Sequence, residues 1–205
     1  MTDSNCVPQK VGVFGGAFDP PHRGHVALAS DAISQLGLDV LHIIPTGGAW
    51  HKTRTLSAGE HRLEMTRLAF AGLREAVIDA RELNRAGPSF TVETLLELKS
   101  EYPGADFYLL IGRDQAQTLQ SWHRIHEILE LAIICVAERA NQTRAGSQFE
   151  EYFPSQGKFL PLQMAPDSVS ATEIRQAVAH HQNVTPLVFE PVARYIEQHH
   201  LYQST

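Results

Sequence analysis

Short apolar runs rich in β-branched residues alternate with longer helical patterns along this 205-residue chain. This alternation is typical of a parallel sheet whose strands are joined by crossover helices. The predicted strands are Lys10–Phe14, Asp39–Pro45, Ala76–Ala80, Asp106–Ile111, Ala132–Ala137 and Lys158–Leu162. The predicted helices are Gly24–Leu36, Gly59–Ala71, Phe90–Glu101, Trp122–Glu130, Ala171–His181 and Pro191–His200. The pattern therefore predicts an α/β domain with a mostly parallel sheet and helices on both faces.

The composition narrows the kind of protein to expect. The chain has 17 Lys and Arg residues against 23 Asp and Glu residues, a net charge of −6, whereas a broad nucleic-acid surface is normally basic. No stretch approaches the roughly 20 apolar residues of a membrane-spanning helix, and the first ten residues lack the apolar run of a secretory signal. We therefore expect a cytoplasmic protein with small-molecule partners, no nucleic acid and no membrane. A tail over 1–9 and a single domain over 10–205 are expected, and the oligomeric state stays open.

The segment from Gly15 to His25 follows the first predicted strand and reads Gly-Gly-Ala-Phe-Asp-Pro-Pro-His-Arg-Gly-His. Ligands of open parallel sheets bind beyond the carboxyl ends of the strands. Adjacent glycines such as Gly15 and Gly16 let a backbone approach an anionic ligand closely. His22 and His25 fall at the start of the next helix, where free N–H groups attract anions. The segment predicts a phosphate site; the alternative is a turn-rich connection that carries two surface histidines.

A second candidate segment, Val-Ser-Ala-Thr-Glu-Ile-Arg, covers 169–175. Ser170 and Glu173 have the spacing of a capping box, which opens a helix with exposed backbone donors. Ser57 and Glu60 share this spacing and predict another capped helix start. Arg175 lies about one turn into its helix, where its planar guanidinium can grip a phosphate as a fork. The alternative is an ordinary capped helix with a solvated arginine.

Together these two segments resemble the signatures of the nucleotidyltransferases that hold nucleoside triphosphates with a His-x-Gly-His motif. Further segments resemble the bacterial nicotinate-nucleotide adenylyltransferases in particular: Gly-Pro-Ser-Phe-Thr at 87–91, Ile-Gly-Arg-Asp at 111–114 followed by Trp122, and Ile44-Pro45 followed by His51-Lys52. Ala17, Trp50 and Phe90 stand where the family usually has Ser or Thr, Pro and Tyr. The resemblance covers Val11 to Tyr202, and it implies a single Rossmann-like domain.

The resemblance also implies roles for individual residues. His22, His25 and Arg175 are expected to be catalytic, because they would stabilise the charge of the triphosphate and of the departing pyrophosphate. The residues expected to bind ATP are Gly15, Gly16, Phe18, Gly112, Asp114, Ser170 and Thr172. Those expected to bind the nicotinate nucleotide are His51, Lys52, Thr91 and Trp122. Their chemistry agrees with this division, since an indole offers a flat face to a pyridine ring and a helix start offers N–H donors to a carboxylate.

The function implied by the resemblance is transfer of the adenylyl group of ATP to nicotinate mononucleotide in NAD biosynthesis, by direct in-line attack. Mg²⁺ is expected to arrive with the substrate ATP, because the sequence shows no carboxylate cage that would hold a resident metal. Two alternatives stay open. One is a sister enzyme of the same superfamily that acts on nicotinamide mononucleotide or another substrate pair, and the other is a non-catalytic nucleotide-binding sensor.

Overall fold

The computed structural model describes residues 8–47, 56–139, 158–164 and 169–203, with the backbone alone described at 138–139. The strands in these ranges are β1 Lys10–Gly16, β2 Val40–Pro45, β3 Ala76–Ile78, β4 Asp106–Ile111, β5 Ile133–Arg139 and β6 Phe159–Met164. The α-helices are α1 Arg23–Leu36, α2 Gly59–Phe70, α3 Arg81–Asn84, α4 Thr91–Glu101, α5 Arg113–Gln117, α6 Ile125–Leu131, α7 Ala171–Ala179 and α8 Glu190–Gln198. A 3₁₀ turn at Leu119–Ser121 follows α5.

The six described strands form one sheet in the order β3-β2-β1-β4-β5-β6, and every neighbouring pair is parallel. This is the doubly wound order, in which chain connections leave β1 toward one edge and β4 toward the other. The predicted single α/β domain of Rossmann-like form is confirmed, and its sheet is parallel throughout the described strands. The boundary of the tail at residue 9 stays a prediction.

Both faces of the sheet are covered, which explains why the central strands are continuous apolar runs instead of alternating ones. Every residue of β2 is buried, and so is every residue of β4 after Asp106. On one face Phe14, Leu41 and Ile43 belong to a core that includes residues of α1, α2, α7 and α8. Val13, Ile44 and Leu109 point to the opposite face, in a core shared with α4 and α6.

Two local predictions are wrong. The helix predicted over Trp122–Glu130 begins only at Ile125, because Arg124 adopts a left-handed backbone (φ 54°) and Trp122 is extended. The capping box predicted at Ser57 does not form: α2 begins after Ala58, and the Ser57 N–H donates to the Asp19 carboxylate. Within the described ranges, no helix combines the length and apolarity needed to cross a membrane.

Candidate active site

A cavity of about 390 Å³ opens at the carboxyl ends of β1, β2 and β4. This is the point where the strand order reverses, and open α/β sheets bind their ligands there. Its lining joins the β1 exit, the start of α4 and the segment around the 3₁₀ turn, and it includes Gly15, Gly16, Thr46, Glu82, Ser89, Phe90, Thr91, Thr94, Trp122 and His123. Of the predicted site residues, the cavity therefore brings together two glycines, Thr91 and Trp122.

Gly15 and Gly16, the last two residues of β1, lack a side chain for different structural reasons. A Cβ on Gly15 would meet nothing within 4 Å, so this backbone faces the open cavity. A Cβ on Gly16 would lie 3.0 Å from the Phe18 ring, so the missing side chain makes room for that ring. Gly15 is thus placed for close approach by a ligand, as predicted for both, whereas Gly16 also serves packing.

One wall of the cavity is aromatic and ends at a helix N-terminus. Trp122 is half-buried beside the core of α4 and α6, and the His123 ring lies 4.3 Å from the Phe90 ring, centroid to centroid. Thr91 is the first residue of the 11-residue helix α4, whose N-cap, Phe90, has no side-chain acceptor for the helix N–H groups. Backbone donors at this end and a flat indole together suit a planar ring that carries a carboxylate.

The two histidines of the 15–25 segment lie together at the start of α1. Their rings stack with centroids 3.7 Å apart, and His25 Nδ1 accepts a hydrogen bond from the His22 backbone N–H at 3.1 Å. Because a backbone N–H can only donate, Nδ1 carries no proton in this arrangement, and the neutral imidazole presents an N–H at Nε2. His25 is therefore oriented as a hydrogen-bond donor at a helix N-terminus.

Phe18, which is predicted to bind ATP, places its side chain in the core. Its backbone is left-handed (φ 46°), and its side chain is only 1% exposed. The ring makes edge contacts with Phe14, with Phe70 and with His25, the last at 5.1 Å between centroids. The Phe18 ring thus supports the His25 imidazole from the core and has no surface to offer a nucleotide.

Arg175 reaches the same loop from α7. Its Nη1 donates to the Asp19 carbonyl oxygen at 2.8 Å, and its Nη2 donates to Thr172 Oγ1 at 2.9 Å. Ser170 forms the predicted capping box, since its Oγ accepts from the Glu173 N–H and its own N–H donates to Glu173 Oε2. A guanidinium has five N–H donors, so Arg175 can hold the loop and a phosphate at once.

The remaining predicted residues are less closely joined to these two groups. Gly112 is the N-cap of the short helix α5, and Asp114 is exposed in its first turn, just beyond β4. They lie at the same edge of the sheet as the cavity without lining it. His51 and Lys52 fall outside the described residues.

Several residues that sequence reasoning missed hold the loop over 17–22. The Asp19 side chain is 1% exposed and accepts from the Ser57 N–H (3.2 Å) and from the Tyr202 hydroxyl (2.6 Å). Arg62 is 3% exposed, and its Nη1 donates to the Ala17 carbonyl oxygen at 3.0 Å. These contacts account for the burial of Arg62, because arginine is rarely buried without partners.

Glu82, in the wall of the cavity, is a further residue that the sequence reasoning missed. Burial raises the pKa of its carboxyl group, while hydrogen bonds from the Thr94 hydroxyl (2.9 Å) and the Gly47 N–H oppose that rise. The Ser89 hydroxyl donates to the Glu82 backbone carbonyl at 3.3 Å. Glu82 therefore ties the β2 exit, α3 and α4 into one wall.

Comparison with known proteins agrees with this geometry. The cytidylyltransferase-like family matches residues 13–177. A protein of Albidiferax ferrireducens named "probable nicotinate-nucleotide adenylyltransferase" is 56% identical over 196 residues, 96% of this chain and 99% of that protein. One of Methylibium petroleiphilum with the same name is 40% identical over 97% of this chain and 95% of its own length. Among solved structures, Plasmodium falciparum nicotinic acid mononucleotide adenylyltransferase complexed with NaAD shares the fold, with a TM-score of 0.78 at 19% identity over 95% of this chain and 97% of that one.

Proposed function

We propose that this chain, which belongs to the cytidylyltransferase-like family and within it to the nicotinate-nucleotide adenylyltransferases, transfers the adenylyl group of ATP to nicotinate mononucleotide. The products are nicotinate adenine dinucleotide and pyrophosphate. The observation that carries the proposal concerns two neighbouring groups of residues. An aromatic cavity, which ends at the Thr91 helix start, is connected by the loop after β1 to a cluster of hydrogen-bond donors that suit phosphate oxygens.

The cavity is the proposed site of the mononucleotide. Trp122 would stack on the pyridine ring, and the N–H groups at the start of α4 would receive its carboxylate. An uncharged carboxamide gains less from a helix N-terminus than a carboxylate does, because the helix dipole favours negative charge. This difference supports nicotinate over nicotinamide mononucleotide as the acceptor.

The cluster of His22, His25 and Arg175 is the proposed site of the triphosphate. An oxygen of the acceptor's 5′-phosphate attacks the α-phosphorus of ATP, a new P–O bond forms, and the bond from that phosphorus to the α,β-bridging oxygen breaks. Pyrophosphate leaves with the electron pair, so no protein nucleophile is needed and catalysis depends on positioning and charge stabilisation. The His25 Nε2–H, the start of α1 and the Arg175 guanidinium would supply the donors.

Other binding roles follow from position. Gly15 would let the backbone approach the phosphates, while Gly112 and Asp114 at the β4 end would face the ribose of ATP, where a carboxylate accepts from hydroxyl groups. His51 and Lys52 would add positive charge near the mononucleotide. The described residues contain no group of three potential metal ligands, so the Mg²⁺ that we propose to accompany ATP would be held by phosphate oxygens and water.

The test is a steady-state assay of the purified chain with ATP, Mg²⁺ and either nicotinate or nicotinamide mononucleotide. We expect release of one pyrophosphate per dinucleotide formed, and a higher kcat/KM with nicotinate mononucleotide. Preference for nicotinamide mononucleotide would overturn the assignment of the acceptor but would leave the assignment of the reaction class unchanged. Binding of ATP with no turnover of either mononucleotide would instead support the nucleotide-binding sensor.

A further inference from the structure

The C-terminal end of the described chain returns to the loop over 17–22, which leads to the histidine pair and contacts Arg175. After α8 ends at Gln198, left-handed residues at His200 (φ 49°) and Tyr202 (φ 63°) turn the backbone. The Tyr202 hydroxyl then donates to Asp19 Oδ1 at 2.6 Å, across 183 positions of sequence. The contact joins a phenol donor to a buried carboxylate acceptor, since Asp19 is 1% exposed.

Asp19 joins Tyr202 to the proposed triphosphate site through separate atoms. Its carboxylate accepts from Tyr202 and from the Ser57 N–H, whereas its backbone carbonyl accepts from Arg175 Nη1 at 2.8 Å. His22 follows three residues later along the same loop. A change in how the Asp19 side chain is held is therefore transmitted to the groups that would bind phosphate.

The chemistry of the contact keeps Tyr202 in the donor role. Burial, followed by the negative charge of Asp19, raises the pKa of the Tyr202 hydroxyl. The phenol stays protonated at neutral pH, and the Ser57 side chain hydrogen-bonds its oxygen. Removing the hydroxyl takes one donor from a buried carboxylate, and such a group must move toward another partner or water.

We propose that Tyr202 is a positioning residue for the triphosphate site: its hydroxyl fixes Asp19, and Asp19 fixes Arg175 and the loop that leads to His22. The inference rests on the proposed function. Neither Tyr202 nor Asp19 lines the cavity, so the binding of the mononucleotide is independent of the contact. The role is confined to the ATP side of the reaction.

The test compares Tyr202→Phe with Tyr195→Phe. Each variant loses one hydroxyl at the C-terminal end of the fold, but the Tyr195 hydroxyl contacts His61 Nδ1 (3.0 Å) on α2 and not the loop. For Tyr202→Phe we expect about a tenfold or greater fall in kcat/KM for ATP, the size of effect typical of a lost hydrogen bond to a charged group, with the KM for nicotinate mononucleotide within about twofold of wild type. Tyr195→Phe should match wild type in both. Calorimetry with α,β-methylene ATP should show correspondingly weaker binding to Tyr202→Phe alone.

The outcomes separate the inference from the function on which it rests. Wild-type kinetics and wild-type binding of the analogue in Tyr202→Phe would overturn the positioning role. An equal rise in both KM values, or the same loss in Tyr195→Phe, would also overturn it, because a general loss of packing has no preference for one substrate. If wild type turned over no mononucleotide, the proposed function would fail, and the analogue titration would still decide the role of Tyr202.

Discussion

Replacing Gly47 by alanine tests whether the wall of the cavity is as rigid as its contacts indicate. A Cβ built on Gly47 lies 2.0 Å from the carbonyl oxygen of Glu82, 2.8 Å from Ser89 Oγ and 2.9 Å from the Glu82 carbonyl carbon. Ser89 can rotate away, but the Glu82 backbone cannot, and real Cβ atoms essentially never approach closer than 3.0 Å. The β2 exit and α3 must therefore separate by about 1 Å, a displacement of the size known to weaken catalysis strongly.

The magnitude follows from two effects of that separation. Overpacking of a well-packed site costs about 1–3 kcal/mol of unfolding free energy, and a misplacement of about 1 Å can lower activity by about 10². The Gly47 N–H also hydrogen-bonds the Glu82 carboxylate, so the wall loses a donor when it opens. We expect kcat/KM for nicotinate mononucleotide to fall by about 10² in Gly47→Ala.

The assay combines urea unfolding with steady-state kinetics, and Gly72→Ala is the matched control. A Cβ on the exposed Gly72 meets nothing within 4 Å, so this variant should stay within about 0.5 kcal/mol of wild type and keep its activity. If Gly47→Ala kept both wild-type stability and wild-type kinetics, the reasoning from backbone contact would be refuted.

Three further predictions concern the cavity, the histidine pair and acid stability. Gly15→Ala should keep the unfolding free energy within about 0.5 kcal/mol and raise the KM of at least one substrate several-fold, because the added Cβ meets no protein atom within 4 Å and enters the open cavity; unchanged KM values would show that no ligand approaches this backbone. His25→Ala should lower kcat by about 10²–10³ with an unchanged circular dichroism spectrum, and near-normal turnover would exclude the assigned role. Burial alone would raise the pKa of Asp79, but hydrogen bonds from His42 and Arg81 and the charge of Arg81 lower it from 3.8 to about 2. Because the folded-state pKa is the lower one, the carboxylate stabilises the fold above about pH 4, and this contribution, about 2 kcal/mol in all, is lost as the pH falls toward 2. In Asp79→Asn the unfolding free energy should therefore vary less with pH over that interval than in wild type. Equal pH dependence in the two proteins would contradict the shift.

The strands and the main helices could be predicted because their signals are local. Apolar runs bounded by turn residues mark β1 to β6, and the Ser170–Glu173 spacing correctly predicts the start of α7. The position of the site could be predicted too, since a parallel sheet fixes where the carboxyl end of β1 and the residues after it must lie. Gly15, Thr91 and Trp122 accordingly meet in one cavity.

The supports of the site could not be predicted, because they join residues that are distant in sequence. No local pattern connects Asp19 with Tyr202, or Ala17 with Arg62 on α2. A distant contact also explains Ser57, which has the spacing of a capping box but whose backbone N–H donates to Asp19. For Phe18, residue type and neighbouring motif indicated a ligand contact, whereas packing against Phe14 and Phe70 buries the ring.

The central claim is that the mononucleotide binds in the Trp122 cavity and the triphosphate binds at the Arg175 cluster. The most direct measurement is the KM of each substrate in Trp122→Ala and in Arg175→Ala. Loss of ring stacking at about 1–3 kcal/mol predicts a rise of about tenfold or more in the KM for nicotinate mononucleotide in Trp122→Ala, with the KM for ATP nearly unchanged. Arg175→Ala should show the opposite pattern, with the larger rise for ATP. Equal rises of both KM values in both variants would contradict the division of the site.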